Sequence, residues 1–155
     1  MIRDTDIVIT GIGTVSPYGY GTEVFWNGLA NGEDKITEVK KIKLDNNYAK
    51  RGGEIDWYIS KDYFSKNELR RWDLNTQYSV LAMEEAKLDA KIDEFPSNTG
   101  IFMGTLTAGL PFAEMYYDNM LKDKYIPRYI TQCFRASVAD NVAKRYHLNG
   151  PKITV

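Results

Sequence analysis

The chain alternates short apolar runs with glycine-bearing breaks. Ile7-Val8-Ile9, rich in β-branched residues, predicts a buried strand that breaks at once into Thr10-Gly11-Ile12-Gly13. From Thr22 to Ala30 a cap-type residue precedes apolar Val24, Phe25 and Leu29, and Asn31-Gly32 supplies a stop, so a short helix laid on a core is expected. Between Glu33 and Gly53, lysines and acids interleave with Ile36, Val39, Ile42 and Leu44, which predicts an irregular or extended surface segment. Ser60 to Phe64 reads as a capped helical turn. Asp73 to Leu88 places Leu74, Tyr78, Leu81, Ala82 and Leu88 near one face of a longer helix. Thr99 to Gly104 is a second buried strand, followed by a glycine-bearing turn through Gly109 and a helix from Phe112 to Leu121. The last helix, Ala136 to Tyr146, carries small residues at Ala136, Ala139 and Ala143 that permit close approach; His147 to Pro151 stops it, and Lys152 begins a third strand. Strand, helix, strand, helix in this order predicts an α/β fold with a mostly parallel sheet.

Composition narrows the class. With 155 residues and 43% hydrophobic content, residues 1–155 are expected to form one soluble domain with an ordinary core. No apolar run is long enough to cross a bilayer, and Met1 to Asp4 leads into a strand instead of a signal-type apolar region, so a cytoplasmic protein is expected. Twenty basic against twenty-one acidic residues give a net charge of -1, which leaves any charge recognition to local patches and argues against nucleic acid or membrane partners. One cysteine, Cys133, and one histidine, His147, exclude an internal disulfide and a Cys/His metal cluster within the chain.

The glycines after the first strand raise the question of a phosphate cradle. A dinucleotide fingerprint needs its third glycine on the opening turn of a helix, where the pyrophosphate sits. Here Ser16-Pro17 stands at that position, Tyr18-Gly19-Tyr20-Gly21 follows, and the plausible cap comes only at Thr22. The helix starts too late to face a phosphate at Gly11 or Gly13, which disfavours a nucleotide binder.

The stretch instead resembles the start of the β-ketoacyl-acyl-carrier-protein synthases, condensing enzymes with a thiolase-like fold. Thr10-Gly-x-Gly, Ser16-Pro-x-Gly and Phe25-Trp26 carry the first part of the resemblance. Leu69-Arg70-Arg71-Trp72-Asp73 with Gln77 and Tyr78, Gly100 through Gly109, and Tyr146-His-Leu-Asn-Gly-Pro151 carry the rest in the same order.

The resemblance implies a thiolase-like half-fold ending before the cysteine nucleophile, whose active enzyme also uses two histidines and a lysine from the family's second half. The chain alone is therefore expected to be inactive. A complete enzyme would condense an acyl thioester with malonyl-carrier protein, with loss of carbon dioxide, in fatty acid or polyketide synthesis. It would need no cofactor beyond the phosphopantetheine that carries its substrates. Acyl carrier protein is the implied partner, with a homodimer or a pairing with another synthase chain. Carrier docking falls on Arg70, Arg71 and Lys66, whose cationic donors suit acidic groups. The acyl-pocket gate falls on Leu106, Thr107 and Ala108, with Leu106 and Ala108 where glycines are common, and on Tyr129. Those extra side chains, and Ala136 and Asp140 in place of asparagine and glycine, favour a divergent synthase or a non-catalytic, chain-length-factor-like interaction module as the alternative. Cys133 is expected to be a buried structural thiol, and His147, where the family usually has glycine, to be structural.

Overall fold

The computed structural model describes residues 6–41 and 50–155; the expectations for Met1–Asp4, Ile42 and Leu44 lie outside them. In chain order the elements are β1 (Val15–Ser16), β2 (Gly19–Tyr20), α1 (Thr22–Ala30), β3 (Thr37–Glu38), β4 (Arg51–Gly52), a 3-10 turn at Ser60–Asp62, α2 (Lys66–Leu69), α3 (Leu74–Asp89), β5 (Ile101–Met103), α4 (Leu110–Met120), α5 (Pro127–Gln132), α6 (Ser137–Arg145) and β6 (Lys152–Thr154). They fall into two compact units: residues 1–59 with 81–91, and residues 60–80 with 92–155.

In the first unit, β1 and β2 form an antiparallel hairpin, and β3 and β4 pair antiparallel within the segment expected to be irregular or extended. The hairpin turns at Pro17-Tyr18, and Ser16 Oγ accepts the Tyr18 N–H at 3.2 Å. The glycines of Thr10-Gly-x-Gly lie against the second half of α3. A Cβ on Gly11 would stand 2.9 Å from Ala90 Cβ, and one on Gly13 would stand 2.9 Å from Ala86 N, so the two glycines serve close packing over an alanine row. The extended backbone there gives its N–H groups to helix carboxylates: Ile12 to Asp89 at 3.0 Å and Thr14 to Glu85 at 2.7 Å. Glu85 also accepts the Thr22 N–H at 2.5 Å. Thr22 is thus the first residue of α1 and not its cap, which is Gly21 at φ 107. The end of α1 at Asn31-Gly32 follows the sequence expectation.

Ile7-Val8-Ile9 is not a buried strand. Ile7 and Ile9 are fully or nearly fully exposed, and no ladder forms over 6–14 among the described residues. Three successive apolar side chains specify a wish for cover, but a strand is buried only where neighbours pair and layer with it. Val24 and Leu29 of α1 are exposed for the same reason.

The second unit holds most of the buried side chains: Phe64, Trp72, Val80, Ile101, Phe112, Val138, Val142 and Leu148. β5 and β6 pair in parallel, Ile101 opposite Lys152, as the strand-helix order predicts. In α6, Ala139 and Ala143 are buried as expected, whereas Ala136 is exposed just before the helix. Asp140 is half-exposed, with Lys152 Nζ 2.6 Å from its carboxylate. In α3 the expected face is displaced. Leu81 is buried as expected, but Leu74 and Leu88 are exposed, and Thr76, Gln77 and Val80 are buried, Thr76 and Gln77 being held by hydrogen bonds to the Asp73 carboxylate and the Trp72 carbonyl that hydrophobicity does not register.

His147 explains its own position. It takes φ +54 just past the end of α6, and the Leu148 N–H closes onto Ala143 O at 2.9 Å while Leu148 itself is buried. This is a Schellman stop, in which the left-handed residue is ordinarily glycine. His147→Gly is expected to raise stability by about 0.5–1 kcal/mol, the left-handed penalty less the added freedom of the unfolded chain. An unchanged or lower midpoint in urea unfolding would contradict it.

Candidate functional site

The site region begins with a capping box. Ser65 Oγ accepts the Glu68 N–H at 3.3 Å, and the Glu68 carboxylate returns to the Ser65 N–H at 2.9 Å, which starts α2 although it is only four residues long. Burial pushes the Glu68 carboxyl up, but the Ser65 backbone and hydroxyl donors and the Arg145 guanidinium outweigh burial and hold it below the usual carboxylate value. Arg145 pairs with Glu68 and lies 5.7 Å from the Phe64 ring centre, 5.6 Å from that of Trp72 and 5.9 Å from that of Tyr146. Phe64 and Trp72 meet edge to face at 5.5 Å. Behind this aromatic clasp α2 is anchored, and Lys66, Arg70 and Arg71 are left facing solvent.

Asp73 then joins two chain segments. Its Oδ1 accepts the Thr76 N–H at 2.9 Å and the Thr76 hydroxyl at 2.8 Å, and its Oδ2 accepts the Gly109 N–H at 2.8 Å. Gly109, at φ 82, caps α4, and a Cβ there would lie 2.6 Å from the Cys133 carbonyl oxygen. Cys133 is half-buried and not fully buried as expected. Its Sγ donates to Ile130 O at 3.1 Å at the carbonyl end of α5, and its backbone, more than its thiol, is what the fold uses.

Beside this joint lies a cavity of about 430 Å³ lined by Leu69, Trp72, Leu74, Gln77, Pro111, Phe112, Met115 and Tyr129, with Arg70, Arg128 and Asp73 completing its wall. Phe112 and Tyr129 stack at 5.8 Å. Arg128 lies over the Tyr129 ring at 4.8 Å and donates to its hydroxyl at 3.2 Å. Tyr78, on the following turn of α3, has its phenol pushed up by burial.

Of the docking and gate residues expected from the sequence, the fold brings Tyr129 and Arg70 to this one cavity. Lys66 and Arg71 sit on the adjoining surface. Leu106 and Thr107 are exposed on the turn after β5, while Ala108 is buried with its N–H given to Thr105 Oγ1 at 3.2 Å; none of the three lines the cavity at Tyr129. Arg128 was not singled out. Its only local signal is a cation beside Tyr129, and nothing periodic places it near Arg70.

The family model described as "Beta-ketoacyl synthase, N-terminal domain" matches residues 4–155. The chain belongs to the β-ketoacyl synthase family. It is 30% identical over 125 residues to 3-oxoacyl-[acyl-carrier-protein] synthase 2 of Staphylococcus aureus (strain COL), covering 78% of this chain and 30% of the relative. To the synthase 2 of Vibrio cholerae it is 25% identical over 155 residues, 96% of this chain and 37% of the relative. The chain thus spans about a third of the length of the curated relatives it matches. Among solved structures, the ishigamide ketosynthase/chain length factor aligns with a TM-score of 0.79 at 17% identity, over 95% of this chain and 39% of that one. A ketosynthase solved with its type II polyketide acyl-carrier protein aligns with a TM-score of 0.73 at 21% identity, over 96% and 37%. At these identities the likeness speaks for the fold, which is the α/β, thiolase-like half-fold expected of a β-ketoacyl synthase. In this β-ketoacyl synthase chain, no helix among the described residues is long and apolar enough to cross a membrane.

Proposed function

We propose that the chain is the N-terminal part of a β-ketoacyl-acyl-carrier-protein synthase of fatty acid or polyketide synthesis and contributes the surface on which an acidic acyl carrier protein docks. The observation that carries this reading is the family match over residues 4–155 joined to a solvent-facing trio, Lys66, Arg70 and Arg71, on a capped and aromatically anchored turn. Charge complementarity sets partner choice and encounter rate more than bulk affinity, so an exposed cationic face suits a carrier that must be captured and released. The condensation itself is assigned to the complete enzyme, a cytoplasmic homodimer or paired chain in this reading, with Leu106, Thr107, Ala108 and Tyr129 shaping the acyl gate. A non-catalytic, chain-length-factor-like role is the second reading, favoured by the side chains of Leu106 and Ala108 in the turn where the family keeps glycine.

Fluorescence anisotropy with a labelled acyl carrier protein tests the docking face. Arg70→Glu/Arg71→Glu is expected to weaken binding by at least about tenfold, and wild-type binding to fall steeply as salt is raised. Equal affinity of the double variant, at unchanged helicity, would refute the docking assignment.

A further inference from the structure

Three asparagines in the sequence precede glycine: Asn27-Gly28, Asn31-Gly32 and Asn149-Gly150. The pair matters chemically because the backbone nitrogen that follows an asparagine can reach its side-chain amide carbon, and glycine leaves that nitrogen unshielded by a Cβ and free to turn. Residue types alone rank the three pairs equally. Their surroundings do not.

Asn27 lies inside α1. Its carbonyl accepts the Asn31 N–H at 3.0 Å, and Gly28 is buried, with a Cβ there 2.6 Å from Tyr18 Cε1. For the Gly28 nitrogen to swing toward the Asn27 amide, the middle of the helix must open beneath a packed ring. Asn149 is exposed, but its N–H is given to Ser97 O at 2.6 Å, and Gly150 is wedged against the carbonyls of Asn98 and Thr99, where a Cβ would stand 2.5 Å from the Thr99 carbonyl carbon. Moving Gly150 means pulling apart the entry to the β5–β6 pair, at which the Ile101 N–H donates to Pro151 O at 2.8 Å.

Asn31 is placed differently. Asn31 and Gly32 are exposed just past the last residue of α1, Gly32 takes φ +68, and a Cβ on it would meet nothing within 4 Å. The turn is held by the Gly32 N–H on Leu29 O and the Glu33 N–H on Gly28 O, each at 3.0 Å. Both bonds belong to a helix end, the part of a helix that opens most readily, and the empty space around Gly32 lets its peptide turn without displacing a neighbour.

We propose that Asn31 is a site of self-modification, at which the side-chain amide becomes a carboxylate through a cyclic imide. The Gly32 nitrogen, having given its proton to hydroxide, forms a bond to Asn31 Cγ; the bond from Cγ to the amide nitrogen breaks, and that nitrogen leaves as ammonia with a proton taken from water. Water then adds to either carbonyl of the ring and opens it, giving aspartate, or isoaspartate when the backbone bond is the one cut. No electrons are exchanged, and water is the sole co-reactant.

The product changes the end of α1. A new carboxylate stands at the negative pole of the helix, next to Glu33 and Asp34 in sequence, and the last turn of α1 holds no basic residue to offset it. Isoaspartate also adds a methylene to the backbone, which breaks the spacing of the two turn bonds and loosens the Glu33 carbonyl from the Tyr18 hydroxyl that donates to it at 2.7 Å. This inference is independent of carrier docking.

To test it, the 155-residue chain is kept at mildly alkaline pH, either folded or in urea strong enough to unfold it. Peptide mapping by mass spectrometry follows each asparagine, and an isoaspartyl methyltransferase scores isoaspartate. In the folded chain Asn31 is expected to convert at least about tenfold faster than Asn27 or Asn149, whereas in urea the three should convert at similar rates. Asn31→Gln, whose ring closure is slower because it forms a larger imide, should remove the fast phase of ammonia release and leave the other two sites unchanged. Conversion of Asn27 or Asn149 in the folded chain at the rate of Asn31 overturns the proposal, as does protection of Asn31 by folding to the same extent as the other two.

Discussion

Replacing Gly13 by alanine is expected to unfold the first unit, with a loss of roughly 3 kcal/mol or more. The added Cβ would stand 2.8 Å from the Ala82 carbonyl carbon and 2.9 Å from Ala86 N, and closer still to the Ala82 carbonyl oxygen. All three are backbone atoms of α3, so no side chain can swing aside, and a helix interior yields only by losing its ladder. Moving the extended segment away instead would pull the Thr14 N–H from Glu85, now 2.7 Å apart. Gly104→Ala is the matched control, because a Cβ there meets nothing within 4 Å and φ is not positive. It should leave stability within about 0.5 kcal/mol or raise it slightly. Far-ultraviolet circular dichroism in urea, with hydrogen exchange at Thr14 and Thr22, reads both. A Gly13→Ala chain with wild-type midpoint and protection would show that the contact does not hold the unit together.

Asp73→Ala is expected to cost roughly 3–4 kcal/mol, the second large effect. Asp73 is 6% exposed, and its carboxylate satisfies the Thr76 N–H and hydroxyl and, across the chain, the Gly109 N–H. Alanine leaves the buried Gly109 donor without an acceptor and uncaps α3. It also loosens the joint that positions α4, and with it Phe112 against Tyr129. Asp73→Asn keeps one oxygen acceptor and should lose about half as much. Wild-type unfolding midpoints for both variants would discard this account.

The local parts of the architecture were legible beforehand. The helix from Thr22 to the Asn31-Gly32 stop, the long helix after Asp73, and the pairing of two parallel strands around α4 to α6 all follow from signals contained in windows of a few residues. The helix α2 that starts at the Ser65-x-x-Glu68 capping box was not read from the sequence, because its four residues are too few for a periodic signal. The buried face of the first turn of α3 was not legible, because Thr76 and Gln77 are inside through hydrogen bonds while Leu74 is outside.

The sequence by itself determined the family, the order of α1, α3, β5, α4, α6 and β6, the late start of α1 and the cationic run at Arg70-Arg71, all of which depend on residue types at short, fixed spacing. Only the tertiary structure decided which acceptors close the glycine-rich opening, with Glu85 meeting Thr14 across 71 positions and Asp73 meeting Gly109 across 36. It also brought Arg128 to the pocket of Arg70 and Arg71, and left Ile7 and Ile9 exposed where the pattern asked for a buried strand. The division has one physical cause. Backbone propensity and turn chemistry act between neighbours in sequence, whereas the partner of a buried carboxylate, the cover of an apolar strand and the convergence of three guanidiniums depend on the path the chain takes between them.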